Sequence, residues 1–122
     1  MRSQLAKLAE HDERVVFLTG DLGYGVVESF FERFPDRAFN VGVAEQNMVA
    51  MATGLAEAGL IPFVYSIAPF ATLRPFEFIG TERSAAASGP DPRCRRGMEY
   101  GINGPTHYAL EDVGVLRTLQ VS

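Results

Sequence analysis

The sequence predicts an α/β fold in which a parallel sheet carries helices on both faces. Three observations predict it. A continuous apolar run, "VVFLTGD" (Val15–Asp21), has the composition of a strand buried on both sides. Helix-like and strand-like segments alternate along the chain, which implies parallel strands joined by crossover helices. An Ala- and Met-rich stretch from about Ala44 to Ala58 reads as a helix buried almost all round, inside a layered domain or an interface.

Residues 2–11 form the first helix, with Leu5, Leu8 and Ala9 on one face, and the charged turn His11-Asp12-Glu13-Arg14 ends it. After the first strand, "LGYG" (Leu22–Gly25) is a loop, and "VVESFFERF" (Val26–Phe34) has apolar residues at helical spacing. Pro35-Asp36 breaks that helix, and "AFNVG" (Ala38–Gly42) is a short second strand. Gly59 stops the long helix, "IPFVYSI" (Ile61–Ile67) is a third strand, and "APFATLRPFEFI" continues as a further helix despite Pro75. The pattern fails at "GTERSAAASGPDPRCRRG" (Gly80–Gly97), which holds no aromatic residue and no Val, Ile or Leu. Periodicity returns in "MEYGINGPTHYALEDVGVLRTL", a Gly-rich loop followed by a helix.

The bulk properties narrow the function classes. At 122 residues and 47% hydrophobic content, the chain is one small globular domain. A net charge of −4 gives no nucleic-acid footprint. Cys94 is alone, so neither a disulfide framework nor a cysteine metal cluster is expected, and His11 and His107 are not in a ligand spacing. No apolar run is long enough for a bilayer and no signal peptide opens the chain, so a soluble cytoplasmic protein is expected.

Two features invite chemistry. Gly20, Gly23 and Gly25 lie between a strand and a helix, where either a phosphate cradle or plain turn geometry accounts for them. Glu45 follows the second strand at the start of the long helix, among Gly42, Val43, Ala44, Gln46, Asn47 and Met48. One account is charge complementarity with the helix dipole. The other is a buried acid with no basic neighbour in sequence, which holds its proton longer and suits a hydrogen bond to a ligand nitrogen.

The stretch "FPDRAFNVGVAEQNMVAMATGLAEAGLIPFVYSIAPFAT" resembles the pyrimidine-binding domain of thiamine diphosphate enzymes of the transketolase type. "VVFLTGDL" is similar to that domain's first strand and loop, and "GPTHYALEDVGVLRTL" to its later signature. The resemblance covers residues 1–79 and 98–120 and implies the thiamine diphosphate-binding fold, here incomplete over residues 1–122. It implies that Glu45 hydrogen-bonds the pyrimidine N1′, favouring the imino tautomer that takes the proton from thiazolium C2. Phe70 matches an aromatic beside the pyrimidine, and Ile67 stands where the family often has a second Phe. Without the resemblance Phe63, Phe70 and Phe76 read as core; with it, Tyr65 joins the ligand wall.

Other positions carry over in the same way. His107 matches a histidine that reaches substrate and assists proton transfer, where helix capping or a core hydrogen bond is the alternative. Asp21 matches an acid near the cofactor and the subunit interface. Arg74 is placed at a sugar phosphate or an interface, and Asn103 stands where sugar-phosphate transketolases often carry an acid. No Gly-Asp-Gly occurs here, so the resemblance implies a partner domain or subunit holding the diphosphate and Mg²⁺, in a dimer or heterotetramer.

The expected activity is two-carbon ketol transfer between sugar phosphates. The alternatives are an inactive truncated remnant or interaction module, a 1-deoxy-D-xylulose-5-phosphate synthase, or a dehydrogenase β-subunit. Residues 80–97 stand where the family has a buried strand. Reading Arg93-Cys94-Arg95-Arg96 one nucleotide later can give Val-Val-Gly-Val, so paired frame errors are one account and a true insertion the other. With that strand lost, an exposed sheet edge and marginal stability of the isolated chain are expected.

Overall fold

Everything in this domain is arranged around one short strand. The computed structural model describes residues 2–81 and 101–119. In it, α1 (Arg2–His11) leads into β1 (Val15–Thr19), whose five residues are all buried. Strand β2 (Ala38–Asn40) lies on one side of β1 and β3 (Ile61–Tyr65) on the other, giving the parallel order β2-β1-β3. The register sets Thr19 beside Asn40 on one flank and beside Tyr65 on the other.

That order dictates where the helices go. The chain steps from β1 to β2 in one direction, then crosses back over β1 to reach β3. Right-handed crossovers in opposite directions place the connecting helices on opposite faces. Accordingly Val15 and Phe17 pack with Ala9 of α1 and Phe30 of α2 (Glu28–Arg33), while Val16 and Leu18 pack with Met48 and Ala52 of α3 (Glu45–Glu57). The expected fold class, an α/β layer with helices on both faces, is what the chain forms.

The helix α3 is less enclosed than its composition predicts. Its buried residues are Glu45, Met48, Val49, Ala52 and Thr53, a single stripe at three- and four-residue spacing. Gln46, Asn47 and Met51 on its other side are exposed. Ala and Met are indifferent to which side is covered, so composition overstated the burial. The helix ends as expected at Gly59, whose φ of 87° is left-handed. The Leu60 amide donates to the Leu55 carbonyl at 3.0 Å and the Gly59 amide to that of Ala56 at 2.9 Å, the paired bonds of a Schellman cap.

Other boundaries shift for local reasons. The helix expected from Val26 starts at Glu28, because the amides of Val26 and Val27 are drawn into a turn on the Gly23 carbonyl, at 2.6 and 3.1 Å. Gly23 sits at φ 94°, and a Cβ there would lie 2.7 Å from Val27 Cγ1, so turn geometry accounts for this glycine. The single helix expected across Pro75 is two: α4 (Ala68–Thr72) and α5 (Phe76–Thr81). Proline disfavours a helical residue before it and is suited to opening the next helix. Later in the chain, 3-10 turns at Gly101–Asn103 and Pro105–His107 precede α6 (Asp112–Leu116). Helix α4 packs against the second of these turns and against α6. From residue 82 onward the anomalous segment 80–97 lies outside the described residues.

Candidate functional site

In an open parallel sheet, ligands bind outside the carboxyl ends of the strands where the direction of chain crossing reverses. In the order β2-β1-β3 that place lies between β1 and β3. Gly20 follows β1, Ser66 follows β3, and the Gly20 amide donates to the Tyr65 carbonyl at 3.1 Å, holding the two exits together. The carboxylate of Glu45, first residue of α3, enters this place from the side of the helix.

Glu45 is 0% exposed. Ser66 Oγ donates to its Oε1 at 2.9 Å, and Arg74 Nη1 donates to its Oε2 at 2.6 Å. Gly20 lies directly against the acid: a Cβ there would stand 3.4 Å from Glu45 Oε1 and 3.5 Å from Ser66 Oγ, in ordinary contact. A buried carboxylate is costly unless charged or polar groups satisfy it, and both oxygens are met here. The cationic partner absent from the neighbouring sequence arrives from 29 residues further on.

Arg74 does more than pair with the acid. Its guanidinium lies 4.0 Å from the centroid of the Phe70 ring, within cation–π range. Phe70 also meets His107 in an edge-type contact, with ring centroids 5.0 Å apart and planes at 67°. Thr106 Oγ1 and His107 Nδ1 are 2.9 Å apart. Thus Glu45, Arg74, Phe70 and His107, spread over sixty-odd residues of sequence, form one continuous line of contacts.

The remaining sequence candidates sit around this line. Ile67 is half-buried as the N-cap of α4, its carbonyl accepting the amides of Phe70 and Ala71, both at 2.9 Å. Asp21 is exposed at φ 57°, where Asn40 Nδ2 donates to its Oδ1 at 2.9 Å and its own amide donates to Asn40 Oδ1 at 3.1 Å. Asn103 is exposed, and Thr106 Oγ1 donates to its carbonyl at 3.4 Å. Tyr65, assigned to the ligand wall on resemblance, packs its ring against Phe17 on the α2 face, because alternation along β3 points it there. Among the described residues, no three His, Cys, Asp or Glu side chains gather as a metal would require.

Sequence reasoning did not single out Ser66. The signal available was a small polar residue ending an apolar strand at "VYSI"; only the strand order makes that end a site. Nor did it pair Arg74 with Glu45, since the pairing depends on the break between α4 and α5.

The fold is a doubly wound α/β domain with a buried acid at its switch point. A family model described as "Transketolase, pyrimidine binding domain" matches residues 1–121, and the chain belongs to that family. It is 37% identical over 121 residues to a 6-deoxy-6-sulfo-D-fructose transketolase subunit, SqwH, of Clostridium sp. (strain MSTE9), covering 94% of this chain and 36% of that one. It is 39% identical over 118 residues to the 1-deoxy-D-xylulose-5-phosphate synthase of Gloeobacter violaceus, covering 94% and 18% respectively. A solved structure described as "Split gene transketolase, inactive beta4 tetramer" superposes with a TM-score of 0.70 at 32% identity, over 94% of this chain and 37% of that one. The chain therefore spans between about a fifth and two fifths of these relatives.

A pyrimidine-binding family of transketolases implies thiamine diphosphate as its cofactor. The residues present fit the ring of that group. They offer a buried carboxyl group and an aromatic ring at Phe70 beside it.

Proposed function

We propose that this chain supplies the pyrimidine half of a thiamine diphosphate site for two-carbon ketol transfer between sugar phosphates. The burial of Glu45 at the β1–β3 switch point carries this reading. When bound, the cofactor supplies the electron sink for carbon–carbon cleavage and ligation. Glu45 is the group that shares a proton with the ring nitrogen, held in position by Ser66. Phe70 and Ile67 flank the ring, and His107, at the edge of Phe70, moves a proton at the substrate. Asp21 forms part of the rim toward the partner, and Arg74 and Asn103 contact substrate oxygens.

A separate domain or subunit carrying Gly-Asp-Gly holds the diphosphate and Mg²⁺ in this reading, in a dimer or heterotetramer. The setting is cytoplasmic, consistent with the lone Cys94. The test is co-expression with such a partner and titration of thiamine diphosphate with Mg²⁺. Saturable binding that is lost in Glu45→Gln is expected; binding of equal strength in that variant overturns the reading. A second reading, an inactive module, is favoured by the likeness to a split-gene transketolase solved as an inactive tetramer. It predicts no cofactor binding by the intact complex. Synthase-type chemistry is the third reading, supported by the identity to 1-deoxy-D-xylulose-5-phosphate synthases.

A further inference from the structure

Oε1 of Glu45 is turned inward, onto Ser66 and toward Gly20. Oε2 is turned to Arg74, whose side chain is 39% exposed and is the outermost member of the group. A ligand arriving from solvent therefore meets Arg74 before it meets the acid. The guanidinium is flat, lies against Phe70 at 4.0 Å, and donates a hydrogen bond to a carboxylate. An aminopyrimidine held by the same acid and the same aromatic ring would need that plane and that oxygen.

We propose that Arg74 is the resident occupant of the pyrimidine's place, so that ring entry is an exchange in which the guanidinium leaves both Glu45 Oε2 and the Phe70 face. This rests on the pyrimidine reading of the site and adds to it a residue that sets the affinity. The geometry supports exchange over simple addition. A guanidinium and a heterocycle cannot both stack on the face of Phe70 that Arg74 covers, and Oε2 already has a close donor. The side chain is long and 39% exposed, so it can swing away while Glu45 and Ser66 keep their places. Arg74 is thus a positioning and specificity residue that competes with the ligand and holds the buried acid satisfied until the ligand comes.

The test uses the full chain and hydroxymethylpyrimidine, the uncharged half of thiamine, so that removing a positive charge does not by itself attract the probe. Calorimetric titration of Arg74→Ala is expected to give binding about tenfold tighter than wild type. Millimolar guanidinium ion, refilling the vacated place, should weaken binding to the variant and leave wild type unchanged. Equal or weaker binding by Arg74→Ala overturns the exchange while leaving the pyrimidine site standing. Should Arg74→Ala fail to melt cooperatively, Arg74→Lys carries the comparison, since it keeps the charge on Glu45 and loses the flat stack; tighter binding supports the exchange and unchanged binding overturns it. In wild type, the Nε–H resonance of Arg74, assigned by its loss in Arg74→Lys, should move in step with saturation, and a resonance that stays fixed overturns the exchange. Absence of binding by wild type and both variants overturns the pyrimidine reading itself, and the exchange with it.

Discussion

Ser66, one residue past β3, donates its hydroxyl to the carboxylate of Glu45, first residue of α3, at 2.9 Å. This bond joins two elements whose ends would otherwise meet only through packing. It also fixes which oxygen of the acid faces the interior. Removing the hydroxyl leaves a buried carboxylate oxygen short of a donor, a loss of about 1–3 kcal/mol. Ser66→Ala should lower stability by that order in urea denaturation, while Ser66→Thr, if its methyl is accommodated, should restore most of it. An Ala variant as stable as wild type would show that the bond contributes nothing.

Glu45→Gln keeps the shape of the side chain and its capacity to accept from Ser66, and removes the charge that Arg74 neutralises. The variant should fold, with a cooperative thermal transition, and should bind hydroxymethylpyrimidine at least about tenfold more weakly than wild type, a change of about 1.4 kcal/mol. Calorimetry on folded protein separates the two effects. Unaltered affinity would remove the acid from the site.

The stability of the layer depends on β1. Leu18 and Met48 are both 0% exposed and belong to one cluster on the α3 side of the sheet. Leu18→Ala deletes buried methyl groups from a packed strand and should lower the unfolding free energy by about 2–5 kcal/mol, measured by denaturant titration. A loss under about 1 kcal/mol would mean that this face is loosely packed.

Gly23 makes an opposite demand. A methyl group there would lie 2.7 Å from Val27 Cγ1 and 3.0 Å from Tyr65 Cε1, on a backbone at φ 94°. Gly23→Ala should therefore lose about 1–3 kcal/mol through strain and displaced side chains. Thermal melting of the variant checks it, and an unchanged midpoint would contradict the geometry.

The turn between α1 and β1 should respond to acid. The Arg14 side chain and backbone amide hydrogen-bond the Asp12 carboxyl and hold its pKa at about 2, below the usual 3.8. Because the folded value is depressed, the stabilisation is fully present above about pH 3.8 and is lost as pH falls through about 2. The gap in melting temperature between wild type and Asp12→Asn should be constant near neutrality and close across that window. A gap that closes nearer neutrality would assign it to another group.

Much of this was legible in the chain. The run from Val15 gave away a strand buried on both faces, since only crossover helices on either side can cover such a strand. Gly59 marked the end of α3 because few other residues take its backbone conformation. Glu45 stood out as an acid at a helix start with no charged neighbours, and it proved to be wholly buried. What could not be read locally was its company. Arg74 reaches it only because the chain breaks at Pro75, and Ser66 only because β3 lies beside β1. Tyr65 went to the unexpected face because the pleat, which family resemblance does not encode, set its direction. The open side of α3 was hidden by a composition rich in Ala and Met, which suits cover and exposure alike.

One side chain near the mouth of the site ties it together. Asn40 Oδ1 accepts the amides of Asp21 at 3.1 Å and Gly42 at 3.0 Å, while its Nδ2 donates to Asp21 Oδ1 at 2.9 Å. The exits of β1 and β2 are in this way riveted into a single ledge, whose conformational entropy is surrendered when the chain folds rather than when a visitor docks. Half of the doorway is thus masonry, set before anything arrives, and under the exchange proposed above the adjustment on arrival falls to the Arg74 side chain alone.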